Sequence, residues 1–242
     1  MTAFPVIGKK KSRDLCEAFI QGAPSGARGA VFYGVDQTNW DHWQRCSTNG
    51  EPYYYVDNSF YDKTRGTHYR IARNSVQHNG QGESDGQRFK ALALEIKPWR
   101  KDGQHIVVCP QSDSFMREVA GWKNNWLSEA VRTMALASNR RFKIRNWDRD
   151  KMKAMSTLPA DLKHAWILAT YSSAASVTAL LEGIPVACCA GACYGMGVRL
   201  IDIEKPIFPK DRERFFGVLA DNQFTVSEMK DGTAWHALNR TN

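Results

Sequence analysis

The chain has 242 residues, 43% hydrophobic and 24% charged, an ordinary balance for a globular protein that buries its own core in one large domain or two small ones. No run approaches the roughly 20 apolar residues that span a bilayer, and the first residues lack the apolar stretch of a secretion signal, so a cytoplasmic location is expected. The net charge of +8 draws polyanions, whether nucleic acid, anionic lipid or nucleotide phosphate.

Before residue 100, short strand-like runs at 29–33 and 52–56 alternate with polar, glycine-rich connections. The stretch 53–80 holds a strand ending in Asp57-Asn58, a second strand over 67–73 and a polar loop over 77–86 with almost no apolar residue. If the hairpin folds tightly, Asp57, His68, Arg70, Arg73 and His78 meet in one cleft, with Asp85 on the bordering loop. Asp57 is then the first choice for a general base and His78 the second, while His68, Arg70, Arg73 and Asp85 contact the acceptor. The plainer reading is that Asp57-Asn58 is turn chemistry and the histidines lie on the surface. The loop 77–86 is expected to be mobile and to border the cleft.

After residue 100 the pattern becomes regular. Residues 104–109 read as a buried strand, and Pro110 makes 110–113 a loop rather than a helix start. Apolar residues at Trp122, Trp126, Leu127, Ala130, Val131 and Met134 mark a helix over 122–136; a strand follows at 141–145, then a polar helix over 150–163. A buried strand at 165–170 runs into Tyr171-Ser172-Ser173, which open a helix through Val177, Leu180 and Leu181 that stops at Gly183, with Pro185 beyond. This alternation predicts a parallel sheet with right-handed crossovers. A helix start flanked by hydroxyls at a strand end suits an anion, so Ser172 and Ser173 are phosphate ligands or, more plainly, caps of a core helix.

Six cysteines without a C-x-x-C pair read as free thiols, and the 188–193 cluster lacks the second ligand pair that zinc needs. Basic residues crowd at Lys9–Lys11 and across 140–153, and tryptophans next to basic residues (Trp99 before Arg100, Trp122 before Lys123, Trp147 between Arg145 and Arg149) suit stacking on exposed bases or filling a core.

The order of hydroxyl turn, A-L-L-x-G-I-P-V over 179–186 and glycine-rich loop (Gly191, Gly195, Gly197) resembles the nucleotide-binding half of GT-B glycosyltransferases over roughly residues 104–200. It departs at Thr178, where many of those enzymes carry a glutamate that grips the donor ribose; Glu182 stands one turn later. The 53–80 layout is more loosely similar to the acceptor lobe of capsule-synthesis glycosyltransferases and to compact bacteriophage proteins. The resemblance implies an α/β fold of two Rossmann-like lobes, an acceptor-side lobe over 1–100 and a lobe binding a nucleotide diphosphate over 101–242. It implies a nucleotide-sugar or other diphosphate-activated donor held by Arg145, Ser172, Ser173 and Thr178, and no required metal. Transfer to a hydroxyl of hydroxymethyl-pyrimidine phage DNA is the first expectation, with DNA as partner. Sugar transfer in capsule or lipopolysaccharide synthesis is the second, and an inert nucleic-acid or nucleotide-binding module the third.

Overall fold

The computed structural model describes residues 1–5, 8–122, 125–145 and 157–240. The chain forms two compact units, Met1–Leu92 together with Arg214–Asn242, and Ala93–Glu213.

The first unit begins with β1 (Thr2–Phe4), α1 (Lys10–Gln21), β2 (Ala30–Tyr33), α2 (Trp40–Asn49) and β3 (Tyr53–Asn58). α1 is helical because Leu15, Cys16, Ala18 and Phe19 fall on one stripe, and that stripe is buried. It covers Val31, Tyr54 and Val56, with the Phe19 and Tyr54 rings 4.9 Å apart. β4 (His68–Arg73) returns antiparallel to β3, and α3 (Gln87–Ala91) closes this part of the chain.

The second unit holds β5 (His105–Cys109), α4 (Trp126–Ala135), β6 (Arg141–Ile144), α5 (Leu158–Leu162), β7 (Ala165–Thr170), α6 (Ala175–Leu181) and β8 (Val186–Cys188). Its sheet has the order β6-β5-β7-β8 and every pair is parallel, as the strand-helix alternation predicts. The central strands are buried on both faces, with Ile106, Val107, Val108, Ile167, Leu168 and Ala169 fully enclosed, hence their unbroken apolar runs.

From Arg214 the chain belongs to the first unit again, through α7 (Arg212–Asp221), β9 (Gln223–Thr225), α8 (Val226–Lys230) and α9 (Thr233–Leu238). β9 pairs with β4, giving a sheet of order β1-β2-β3-β4-β9 that is parallel over β1–β3 and antiparallel at β4 and β9. The buried Tyr61 hydroxyl donates to the Phe216 carbonyl at 2.6 Å, and Arg88 binds the Ala220 and Gln223 carbonyls and Glu228. The division therefore differs from a break near residue 100: residues 214–242 complete the first sheet and do not extend the second.

Two local expectations are corrected. Residues 110–112 are the expected loop, but a helical stretch opens already at Asp113 and runs to Val119, because Pro110 stands before the Ser112 hydroxyl that accepts the Phe115 N–H at 3.3 Å and so does not block the turn. The loop 77–86 is tied down within its unit: Arg214 donates to the Gly82 carbonyl at 2.6 Å, and Ser84 fills the space that a Gly217 side chain would take. The helix expected over 150–163 is described only from Leu158, its earlier part lying outside the described residues.

Candidate active site

In the second unit, β5 leads to β6 on one side and β7 leads to β8 on the other, so the connections diverge between the adjacent strands β5 and β7. Open parallel sheets bind ligands beyond the carboxyl ends of such a pair. The residues there are Gln111, just past β5, and Ser172, just past β7, and the Gln111 amide donates to the Ser172 hydroxyl at 2.8 Å across the gap. The turn beneath is firmly built. Thr170 donates from its hydroxyl to the Cys109 carbonyl at 2.6 Å and accepts the Ser173 N–H at 3.2 Å. Ser173 accepts the Ala175 N–H at 3.3 Å, and the buried Ser176 hydroxyl donates to the Ser173 carbonyl at 2.6 Å. Both Ser172 and Ser173 are half-buried, so they reach solvent and are not lost beneath the sheet.

Gly183 ends α6 at φ +73°, where a Cβ would stand 2.0 Å from the Pro98 carbonyl oxygen, so only glycine fits. The same strap holds Glu182, which is ion-paired with Lys97 at 2.6 Å and thus serves the packing of α6. The cysteines beside the turn are thiols: burial pushes Cys109 and Cys193 up to about 12 and Cys188 well above its usual value. No group of three or more potential metal ligands occurs among the described residues.

In the first unit the β3–β4 register sets Asp57 opposite Arg70. The Arg70 guanidinium binds Asp57 Oδ2 and lies 5.3 Å over the Phe60 ring; Asp57 Oδ1 accepts the Asn58 N–H at 2.6 Å. Beside them Asn58 Oδ1 accepts from Lys11 Nζ at 3.3 Å and from the Tyr33 hydroxyl at 3.4 Å. Lys11 Nζ also lies 4.9 Å above the Tyr69 ring. Tyr33 and Asp57-Asn58 end parallel strands, so this polar cluster again occupies the carboxyl edge of its sheet.

No family model matches this sequence, and a search of curated proteins returned no match. Solved structures do resemble it. The Thermosulfurimonas dismutans KpsC, beta Kdo 2,7 transferase, aligns with a TM-score of 0.52 over 94% of this chain and 89% of its own, at 13% sequence identity. The beta Kdo 2,4 transferase of the same KpsC aligns with a TM-score of 0.45 over 84% of this chain and 88% of its own, at 14% identity. The fold is GT-B-like.

Within this GT-B-like chain the expected site residues are only partly gathered. Asp57 and Arg70 are joined. His68 opens β4 at the same edge of the sheet, two residues before Arg70 and opposite Thr225 of β9, where burial and Arg88 lower its pKa against the pull of Glu228. Arg73 is exposed, and the exposed Asp85 caps the Gln87 N–H at 2.9 Å. His78 is half-buried, its pKa lowered by burial, and its Nδ1 accepts the Gly80 N–H at 3.0 Å. A neutral imidazole so held carries its proton on Nε2, which makes His78 a hydrogen-bond donor and a poor base. Thr178 is half-buried on α6.

Arg145 requires the clearest correction. Its guanidinium binds the Asp161 carboxylate, which is 1% exposed and also holds Lys143 Nζ at 2.8 Å. A buried carboxylate needs such partners, so Arg145 is committed to the fold of its own unit. Gln111, Lys11, Tyr33 and Asn58 were not singled out from sequence; the only available signal was the lysine cluster at 9–11, and Gln111 carries none.

Proposed function

We propose that this chain is a glycosyltransferase that moves a sugar from a nucleotide-activated donor to a saccharide hydroxyl. The observation that carries the reading is the Gln111–Ser172 bridge at the diverging point of a GT-B-like sheet. The donor phosphate is held there by the Ser172 and Ser173 turn and Gln111, with donors preorganised for the charge that develops on the leaving phosphate. Arg145 is left out of this set, and Thr178 adds a hydroxyl on α6. The first unit serves the acceptor: Asp57 takes the hydroxyl proton as the acceptor oxygen bonds to the anomeric carbon, and the bond from that carbon to phosphate breaks with its electron pair leaving on the phosphate. Arg70 orients the Asp57 carboxylate, and Lys11, Tyr33 and Asn58 flank it.

A saccharide acceptor is favoured over modified DNA for two reasons. The similar structure is a Kdo transferase. Two of the tryptophans that suit base stacking are otherwise engaged: Trp99 lies under the Arg212 guanidinium at 3.9 Å and donates to the Pro209 carbonyl, and Trp122 is half-buried and packs against the core of the second unit. Trp147 lies outside the described residues. Among the described residues no helix is long and apolar enough to cross a membrane.

The test is incubation with a panel of nucleotide sugars and either oligosaccharide acceptors or hydroxymethyl-pyrimidine DNA, read by mass spectrometry. A sugar-mass increment on an oligosaccharide supports the reading. An increment on DNA alone, or nucleotide binding without turnover on any acceptor, overturns it.

A further inference from the structure

The opposite, amino-terminal edge of the second unit's sheet carries an open cavity of about 600 Å³ that the proposed chemistry does not use. Its lining comes from the residues that lead into β5 and β6, chiefly Gln104, Ser138, Asn139, Arg140 and Arg141, with Glu204. One wall is fixed. Arg140 Nε binds both Glu204 carboxylate oxygens at 2.9 and 3.2 Å, its Nη1 binds the Gly103 carbonyl, and its plane lies 4.2 Å over the Trp166 ring. Ser138 donates to the same carboxylate and accepts the Arg140 N–H at 3.1 Å. Gly103 makes this closeness possible, since a Cβ there would stand 2.4 Å from the Trp166 backbone. Glu204 is thus neutralised by Arg140 and repels no anion.

The remaining polar side chains are different. Gln104, Asn139 and Arg141 line the same cavity, are exposed, and have no side-chain partner among the described residues. One uncompensated guanidinium fork beside two amides is a donor set for an oxyanion. A second cavity of about 390 Å³ adjoins it at Gln104 and brings Arg100, His164 and the carboxylate of Asp102 to its lining, giving room for a hydroxyl-bearing polar body, which Asp102 can accept from, behind the anionic head.

We propose that this cavity is a second small-molecule site, specific for a polar ligand headed by a phosphomonoester or a carboxylate, with Arg141 as its anchor. It lies at the strand edge opposite Gln111 and Ser172, so it stands or falls apart from the donor site. The experiment is isothermal titration of the full chain with inorganic phosphate, glucuronate and glucose, repeated on Arg141→Ala, Asn139→Ala and, as a control, Gln111→Ala. We expect phosphate or glucuronate to bind and glucose not to bind. Arg141→Ala should weaken that binding about 10- to 100-fold, the loss of a charged hydrogen bond, and Asn139→Ala about 3- to 10-fold. Gln111→Ala should leave glucuronate binding, and the phosphate binding that Arg141→Ala weakens, unchanged. Phosphate binding alone identifies a phosphoryl ligand, and glucuronate binding alone a sugar acid. Absence of binding by both anions, or binding that Gln111→Ala abolishes and Arg141→Ala does not, overturns the proposal.

Discussion

Replacement of Arg145 by alanine separates a donor ligand from a structural cation. Asp161 is 1% exposed and holds two cations, Arg145 at 21% and Lys143 at 45% side-chain exposure. Breaking a buried ion pair by removing one partner costs about 3–5 kcal/mol, because the survivor is left uncompensated. Here Lys143 remains 2.8 Å from the carboxylate, so the expected loss for Arg145→Ala is smaller, about 2 kcal/mol, close to that of a hydrogen bond to a charged group. That corresponds to about a 30-fold shift in the folding equilibrium and a midpoint lowered by about 4–8 °C. Asp161→Ala should cost about 3 kcal/mol, and the double change Arg145→Met with Asp161→Leu should recover much of it, since the apolar pair needs no desolvation. Urea unfolding followed by circular dichroism measures these losses, and nucleotide titration of the folded variants measures donor affinity. The reasoning is refuted if Arg145→Ala retains full stability and loses tenfold or more in nucleotide affinity.

Ser172→Ala and Gln111→Ala should each weaken nucleotide binding about 3- to 10-fold, the worth of one neutral hydrogen bond, with unfolding midpoints unchanged; equal affinities by calorimetry would exclude them from the donor site. Asp57→Asn should abolish most turnover with nucleotide affinity intact, because an amide keeps the shape and cannot take a proton; a normal rate constant would remove Asp57 from the chemistry. His78 has its pKa lowered from 6.5 by burial, so the unfolded chain binds its proton first as pH falls. Its share of stability is complete above pH 6.5 and declines as pH drops toward the folded value, and His78→Gln should flatten that part of the pH–stability curve. Glu228 acts lower. Burial raises its carboxyl, but Arg88 and the Thr225 cap more than offset this and bring it below 4.5. Its contribution is present above pH 4.5 and is lost as pH falls through the folded value, a decline that Glu228→Gln should remove in acid unfolding.

The second unit was legible because its information is local. The run at 165–170 matches β7 residue for residue, and the glycine at 183 marks the end of α6, since a doubly covered parallel strand must be uniformly apolar and a helix stop needs a left-handed residue. What escaped was non-local. β9 has three residues and finds its partner β4 some 150 positions earlier, a pairing with no periodic signature. Asp161 looks like any acid in a polar helical stretch until burial shows that it collects Lys143 and Arg145. The site was half legible for the same reason. Asp57 and Ser172 announce themselves as polar residues at strand ends, whereas Gln111 matters only because β5 and β7 are neighbours.

The split first unit has a consequence for synthesis. Its sheet lacks its last strand until residues 223–225 leave the ribosome, long after β4 itself and only once the whole 93–213 segment has emerged. The inserted unit can therefore mature first, as a self-contained parallel sheet, while the amino-terminal segment waits with the outer edge of β4 unpaired and open to wrong partners. A stop near residue 213 would remove β9 and leave that edge of β4 without its partner strand.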